Sequence, residues 1–486
     1  MKIEEIYGKI KKLVGSDKVS QDPVVLGLHS VDAVSFPLLP KDLSRRFIIV
    51  SPESSREISE IVKLCYKEKI PVIPQGAATS LALGSSVISI TSLNQFTQLE
   101  YGVIIYTGRM RRVIEFSRTD RYIIAEAGIR IEELNEYLEM NRSGLFFPVD
   151  PASSKAATLG GAIASGAGGL RGARYGTMRD WVLGLEFVDG LGRIHRIGCR
   201  TVKCRQGYDM VRLLVGSEGT LGIISSAILK LWPKPRSIAR LLYYSDSFEK
   251  AFRAFLDLRE EFGVPLISEY MSDKIVEKVK EVTGIYFGEG HAIITDFELE
   301  RSSQADEIFR RAVEILSRHG IKSYYMATDR DPDFDKIYQL RRSMYPATVR
   351  ARKMKYIIIE DVVVPISRIQ DYLNTLESIS TRYAREIYVG GHIGDGNLHP
   401  KFEGDLEDPK DRDLVLKMGR EIALEAVRLG GSVSAEHGIG TMKIELLREE
   451  FRYRESEHTL NLMREIKKTF DPGGILNPGR VIPIEK

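Results

Sequence analysis

From about residue 45, short β-branched runs alternate with amphipathic helical spacings, and the alternation stops at Trp232-Pro233-Lys234-Pro235. The run F-I-I-V-S from Phe47 reads as a strand. Ser54 to Lys69 reads as a helix, entered after Pro52 through a capping-box pairing of Ser54 with Glu57. P-V-I-P and R-Y-I-I-A-E-A-G are further strands, and I-R-I-E-E-L-N-E-Y-L-E-M a second helix. Leu145 to Gly222 is dominated by glycine, alanine and serine and ends in the strand-like run L-G-I-I-S-S-A-I-L-K-L. Beyond the proline breaker, longer charged helices alternate with β-branched runs, among them S-F-E-K-A-F-R-A-F-L-D-L, H-A-I-I-T-D-F-E and a helix from about Ser303 to His319. That change predicts an α/β region followed by a mixed α+β domain with a largely antiparallel sheet.

At 486 residues the chain is too long for one core and calls for two or three domains. Its 70 basic and 67 acidic groups nearly cancel, and no basic cluster has the density of a nucleic-acid footprint, so no nucleic-acid partner is expected. The cysteines Cys65, Cys199 and Cys204 argue against a disulfide scaffold and fit a reducing compartment. Without a second pair, Cys199 and Cys204 do not suggest a structural zinc or iron–sulfur site. No apolar run approaches the ~20 residues that cross a bilayer. Near the N-terminus Ile3, Ile6, Ile10 and Leu13 recur at helical spacing between lysines, which predicts an amphipathic helix docked on the protein's own core, with an anionic membrane surface as the other home for it.

Glycine-rich loops let backbone N–H groups approach phosphate. Both common templates are absent, G-x-G-x-x-G and G-x-x-x-x-G-K-[ST], which disfavours a Rossmann dinucleotide site and a P-loop. The segment Pro74, Gln75, Gly76, Ala77, Ala78, Thr79 and Ser80 still has phosphate-binding character. Small-residue clusters from Thr158 and from Gly216 let backbone pack against something large and flat, although each alone reads equally as a tight turn.

Three of the eight histidines stand beside carboxylates in G-G-H-I-G-D-G-N-L-H and S-A-E-H-G. Asp-Gly is a two-residue hairpin signal. A type I′ turn at Asp395-Gly396 would set Gly394 opposite Asn397, Ile393 opposite Leu398 and His392 opposite His399, with both imidazoles on one face. Joined by Glu436, they would make a His₂-carboxylate set with open positions, suited to a catalytic divalent metal. The plainer reading is a turn with two satisfied histidines.

Taken in order, P-V-I-P-Q-G-A-A-T-S, F-P-V-D-P-A-S-S, T-L-G-G-A-I-A-S-G, R-Y-G-T-M-R-D-W-V-L-G-L-E-F-V, V-G-S-E-G-T-L-G-I-I, the two histidine segments and D-P-G-G-I-L-N-P-G-R resemble the vanillyl-alcohol-oxidase type of flavoprotein. The resemblance runs from about residue 40 to 482 and is most similar to flavin-type D-lactate dehydrogenases, with glycolate oxidase catalytic subunits next. It implies an α+β chain with four parts. These are an N-terminal helical segment at 1–40 and a PCMH-type FAD-binding domain of two α/β subdomains at 41–234. A substrate (cap) domain with a largely antiparallel sheet follows at 235–430, and 431–486 returns to the FAD domain and completes the active site.

The resemblance further implies that the Pro74–Ser80 loop wraps the FAD pyrophosphate. Asp150, Pro151, Ser153, Thr158, Gly160, Gly161, Glu218, Gly219, Ile223, Ile224 and Asn477 would line the rest of the cofactor. Relatives with covalent flavin place His or Cys near the cradle; Ala77 and Ala78 here imply non-covalent FAD. Gly166 stands where the family often has Asn. His392, His399 and Glu436 fall on positions that bind a divalent metal, zinc or manganese, and His437 on the general base. Arg341 falls on the residue that holds the substrate carboxylate, with Arg342 in that place if the register slips by one. Ile359 stands where relatives acting on D-2-hydroxyglutarate have a lysine, which favours a monocarboxylate.

The implied function is oxidation of a D-2-hydroxy acid, D-lactate above glycolate or a longer acid. An FAD-carrying electron-transfer subunit and an oxygen-using oxidase stand as alternatives. Electrons would leave to a separate acceptor: a quinone, a cytochrome, an electron-transfer flavoprotein or an iron–sulfur protein. A cytoplasmic protein is expected, with room for peripheral contact at the inner face of the membrane and for a homodimer.

Overall fold

The structure is a computed structural model that describes residues 2–33, 46–92 and 95–482. The expected boundary at residue 40 lies outside the described residues. The chain divides into two compact units. The first holds residues 1–168, 177–233 and 436–486; the second holds 169–176 and 234–435. The chain crosses to the second unit for residues 169–176, returns, leaves the first unit again after Pro233 and re-enters it at Glu436.

In the first unit, strands Phe47–Val50, Gly102–Tyr106 and Val72–Gln75 pair in parallel, and Val19–Ser20 adds an antiparallel edge. Phe47–Val50 is buried along its whole length, as a parallel strand covered on both faces must be. The helix Ser55–Glu68 begins as its sequence dictates: the Ser54 hydroxyl accepts the Glu57 N–H at 3.2 Å. It ends with Lys69 in the left-handed region (φ 56°). A second, antiparallel sheet has the strand order Ile194–Gly198, Val182–Val188, Ile223–Lys230, Tyr122–Glu126, Val113–Ser117.

The N-terminal helix Lys2–Val14 packs its apolar stripe into the core of this unit. Ile3, Ile6, Ile10 and Val14 are buried with Ile58, Ile61, Val62 and Cys65 of Ser55–Glu68. Leu13 faces outward and Val14 takes its place, because buried positions at 3, 6, 10 and 14 follow a 3.6-residue period more closely. Cys199 and Cys204 correct a second expectation. They form a disulfide, their Cα atoms brought to 6.2 Å by a short excursion after Gly198 (φ 79°). Among the described residues no helix is long and apolar enough to cross a membrane.

The second unit is built on an eight-stranded sheet paired antiparallel throughout. The breaker is followed by Ser237–Ser245, flanked by Ser323–Thr328 and His291–Leu299. Ile267–Met271 comes next, then the hairpin Ile387–His392 and Asn397–Gly404, with Tyr356–Ile359 at the far edge. Helices Asp273–Thr283 and Asp333–Arg350 bury Ile275, Val279, Ile337, Leu340 and Met344 in one apolar cluster with Met271 and Tyr388.

The hairpin register departs from the expected one. His392 faces Asn397, Gly391 faces Leu398 and Gly390 faces His399, leaving a four-residue loop from Ile393 to Gly396. A type I′ turn needs positive φ at both central residues, but only Gly396 (φ 83°) adopts it. Asp395 instead accepts the Asn397 N–H on its side chain at 3.2 Å, while the His392 carbonyl accepts the N–H groups of Asp395 and Gly396. The shift is an even number of positions, so the two imidazoles keep to one face.

Candidate active site

A cavity of about 490 Å³ opens within the first unit. Its walls include all seven residues of the Pro74–Ser80 loop with Pro151, Ser153, Thr158, Gly160, Gly161, Glu218, Gly219, Ile223 and Ile224. Glu436 and His437 stand in the same wall.

The small residues are required by close approach. A Cβ on Gly76 would lie 2.1 Å from the Thr158 hydroxyl, and one on Gly160 would lie 2.6 Å from the Ala127 Cβ. Thr158 caps the short helix Leu159–Ser165 by accepting the Gly161 N–H at 3.3 Å. Gly166 ends that helix in the left-handed region (φ 68°), where Gly216 crosses so closely that a Cβ would sit 3.3 Å from its Cα.

Several expected cofactor residues turn out to brace the cradle. The Gln75 amide donates to the carbonyls of His29 at 2.8 Å and Ser85 at 3.0 Å, and its oxygen lies 2.5 Å from His29 Nδ1. Asn477 is outside the cavity wall; its amide spans the carbonyls of Gly84 at 2.9 Å and Glu218 at 2.6 Å. Asp150 is also outside the wall, although Pro151 and Ser153 line it. The Glu218 carboxylate accepts the N–H groups of Ile439 at 2.7 Å and Gly440 at 2.8 Å, fastening the segment that follows His437. Packing around it pushes its carboxyl up to about 7, against the pull of those two N–H groups.

The cradle fits a dinucleotide-sized flavin: loops of small residues ring a cavity lined by backbone, hydroxyls and the apolar Ile223 and Ile224.

In the second unit, Glu269 gathers two of the expected residues. It is fully buried on Ile267–Met271, directly across from His392. Its Oε1 lies 2.5 Å from His392 Nδ1, and its Oε2 accepts from Arg341 Nε. Burial alone would raise this carboxyl, but the Arg341 guanidinium and the His392 imidazole hold it below the usual carboxylate range. A carboxylate can only accept, so Nδ1 of His392 is the donor in this pair. The His392 and His399 rings stand edge to face at 5.4 Å. Arg341, rather than Arg342, faces the sheet; Arg342 is exposed and its guanidinium stacks over Tyr338.

Asp361, 1% exposed, organises the other side of this cluster. It accepts the Asn397 amide at 2.9 Å and lies 3.8 Å from His399 Nδ1. It also accepts the Ser434 hydroxyl and the Ala435 N–H, each at 3.0 Å. The two residues that precede Glu436 are thereby pinned. Neither Glu269 nor Asp361 was singled out from sequence. The available signal was a carboxylate inside a largely apolar strand-like run, one in L-I-S-E-Y-M and an adjacent pair in I-I-I-E-D-V-V-V.

An FAD-sized cradle beside a histidine, on a chain with a separate antiparallel sheet unit, defines the PCMH-type flavoprotein class. The chain belongs to the family of FAD-linked oxidases: residues 48–198 match the FAD binding domain and residues 234–481 the C-terminal domain of FAD linked oxidases. It is 30% identical over 447 residues to the glycolate oxidase subunit GlcD of Bacillus subtilis (strain 168), covering 92% of this chain and 91% of that one. It is 32% identical to a D-lactate dehydrogenase of Archaeoglobus fulgidus over 92% and 94% of the two chains. A D-2-hydroxyglutarate dehydrogenase of Stutzerimonas stutzeri is 27% identical over 93% and 95%. Among solved structures, p-cresol methylhydroxylase with substrate bound shares the fold, with a TM-score of 0.72 at 15% identity over 99% and 97% of the chains. The protein is an FAD-linked oxidoreductase of the group that acts on D-lactate, glycolate and D-2-hydroxyglutarate.

Proposed function

We propose that the protein oxidises a D-2-hydroxy acid, D-lactate in preference to glycolate or a longer acid, to the 2-oxo acid. The observation that carries this reading is the wall of the first-unit cavity, in which His437 and Glu436 stand with the flavin loops. FAD, held without a covalent link, supplies the hydride acceptor, and a divalent metal, zinc or manganese, supplies the Lewis acid that makes the substrate hydroxyl more acidic. The metal would be held by His392, His399 and Glu436. The Glu269 contact supports this assignment, because ligating histidines usually donate their other N–H to a carboxylate.

His437 takes the hydroxyl proton as the C2–H bond breaks, a role that imidazole fills most often. Arg341 orients the substrate carboxylate through its planar fork, with Glu269 fixing the guanidinium from behind. Ile359 next to this region offers no charge to a second carboxylate, which favours a monocarboxylate. Electrons then leave to a separate acceptor, a quinone, cytochrome, electron-transfer flavoprotein or iron–sulfur protein. The buried apolar face of the N-terminal helix favours a protein that does not use that stripe to meet a membrane.

Steady-state oxidation of D-lactate, glycolate and D-2-hydroxyglutarate with an artificial acceptor tests the reading, before and after chelation. D-lactate should give the highest kcat/KM and chelation should remove it. Equal rates in metal-free protein would remove the metal from the reaction, and a higher kcat/KM for the diacid would remove the monocarboxylate preference.

A further inference from the structure

Lys401 is a buried cation that the reading above does not use. It lies two residues beyond His399 on Asn397–Gly404 and therefore projects from the same sheet face. Its cross-strand neighbours are Tyr388 on one side and Ile359 on the other. The side chain is 3% exposed, and Nζ has no hydrogen-bond partner among the described residues. An ammonium has three donors and is rarely buried without an acceptor.

The nearby carboxylates are already engaged. Burial and, after it, the Arg341 guanidinium push the Lys401 ammonium down to about 7, with Glu269 pulling the other way, so a bound anion would restore its charge. Both Glu269 oxygens are taken, one by His392 and one by Arg341. Glu403, the next residue on this face of the strand, accepts the Tyr388 hydroxyl at 2.8 Å and the N–H groups of Lys353 and Met354 at 2.6 and 2.8 Å. Lys401 thus sits without an acceptor of its own within the field of Arg341, and Glu269 is turned to other donors. Such a surplus of donors in a buried position is resolved by an anion from outside the chain.

We infer that Lys401 and Arg341 form a two-cation clamp for the carboxylate of a small 2-hydroxy or 2-oxo acid. The identity of the anion rests on the proposed 2-hydroxy-acid activity; the clamp itself rests on the burial and placement of Lys401. It assigns Lys401 to holding the carboxylate common to all such acids, without a role in choosing their side chains.

The test compares wild type with Lys401→Met, an apolar side chain of similar length, in the FAD- and metal-loaded full-length protein. Pyruvate binding to the oxidised protein is followed by calorimetry, and D-lactate, glycolate and D-2-hydroxyglutarate kinetics in parallel. The clamp predicts that Lys401→Met weakens pyruvate and raises KM for the hydroxy acids by about 10- to 100-fold, the worth of a charge-assisted hydrogen bond. It also predicts an unchanged or higher melting temperature without ligand, since a buried donor without an acceptor has been removed; a purely structural lysine would lower it. Unchanged pyruvate affinity and KM would overturn the clamp, as would a loss confined to hydroxy diacids. If wild type binds pyruvate through Lys401 but oxidises no 2-hydroxy acid, the clamp stands and the proposed activity falls.

Discussion

Glu269 Oε1 lies 2.5 Å from Nδ1 of His392, while Oε2 of the same carboxylate holds Arg341. One buried acid thus orients a proposed metal ligand and the proposed substrate anchor together. The pairing joins residues 123 and 72 positions apart in sequence, brought together by the order of strands in the sheet.

Glu269→Gln should therefore damage two functions at once. A carboxamide can turn its one acceptor oxygen to His392 or to Arg341, but cannot accept from both. Metal affinity should fall about 10- to 100-fold, as for other residues that support metal ligands, and KM for D-lactate should rise. Metal titration of stripped protein checks the first effect. Glu269→Ala, which takes the buried carboxylate away from the Arg341 guanidinium, should also cost about 3–5 kcal/mol in stability by denaturant unfolding.

His437→Ala should retain FAD, because the rest of the cradle is untouched, yet lower the rate of anaerobic flavin reduction by about 10²–10⁴-fold. Stopped-flow absorbance reads this directly. Reduction at the wild-type rate would remove His437 from the role of base.

Glu218 provides a pH test of the cradle. Its folded carboxyl is raised from 4.5 to about 7. A raised acid stabilises the fold fully below its unfolded value, and that contribution is lost as pH rises through the folded value. Protein stripped of FAD should lose melting temperature between about pH 4.5 and 7. Glu218→Gln should flatten that slope, and should weaken FAD by loosening the Ile439–Gly440 segment.

The N-terminal helix makes a further prediction. Ile10 is fully buried, so Ile10→Ala should destabilise the protein by about 2–5 kcal/mol. The intact protein should stay in the supernatant when anionic vesicles are sedimented, because the stripe that would meet lipid is packed against Ser55–Glu68.

Much of this was legible in the chain because it is local. The Ser54–Glu57 cap, the covered strand at Phe47 and the break at Trp232–Pro235 each follow from neighbouring residues. The small-residue loops stand out in the sequence because close backbone approach restricts a position to glycine or alanine. What sequence could not supply was non-local. The hairpin register turned on the φ of Asp395, which Asp-Gly leaves open between a two-residue and a four-residue loop. Gln75, Glu218 and Asn477 were read as cofactor residues, but their side chains mainly tie loops together, a distinction visible only once their partners are placed. Glu269 and Lys401 carry no motif at all; their meaning comes from the strands on either side.

The most direct test of the central claim is the visible flavin spectrum of the purified, metal-loaded protein before and after anaerobic D-lactate. The account predicts that D-lactate bleaches the flavin band, that L-lactate does not, and that an added electron acceptor restores it. A flavin left oxidised by D-lactate, glycolate and D-2-hydroxyglutarate alike would contradict it.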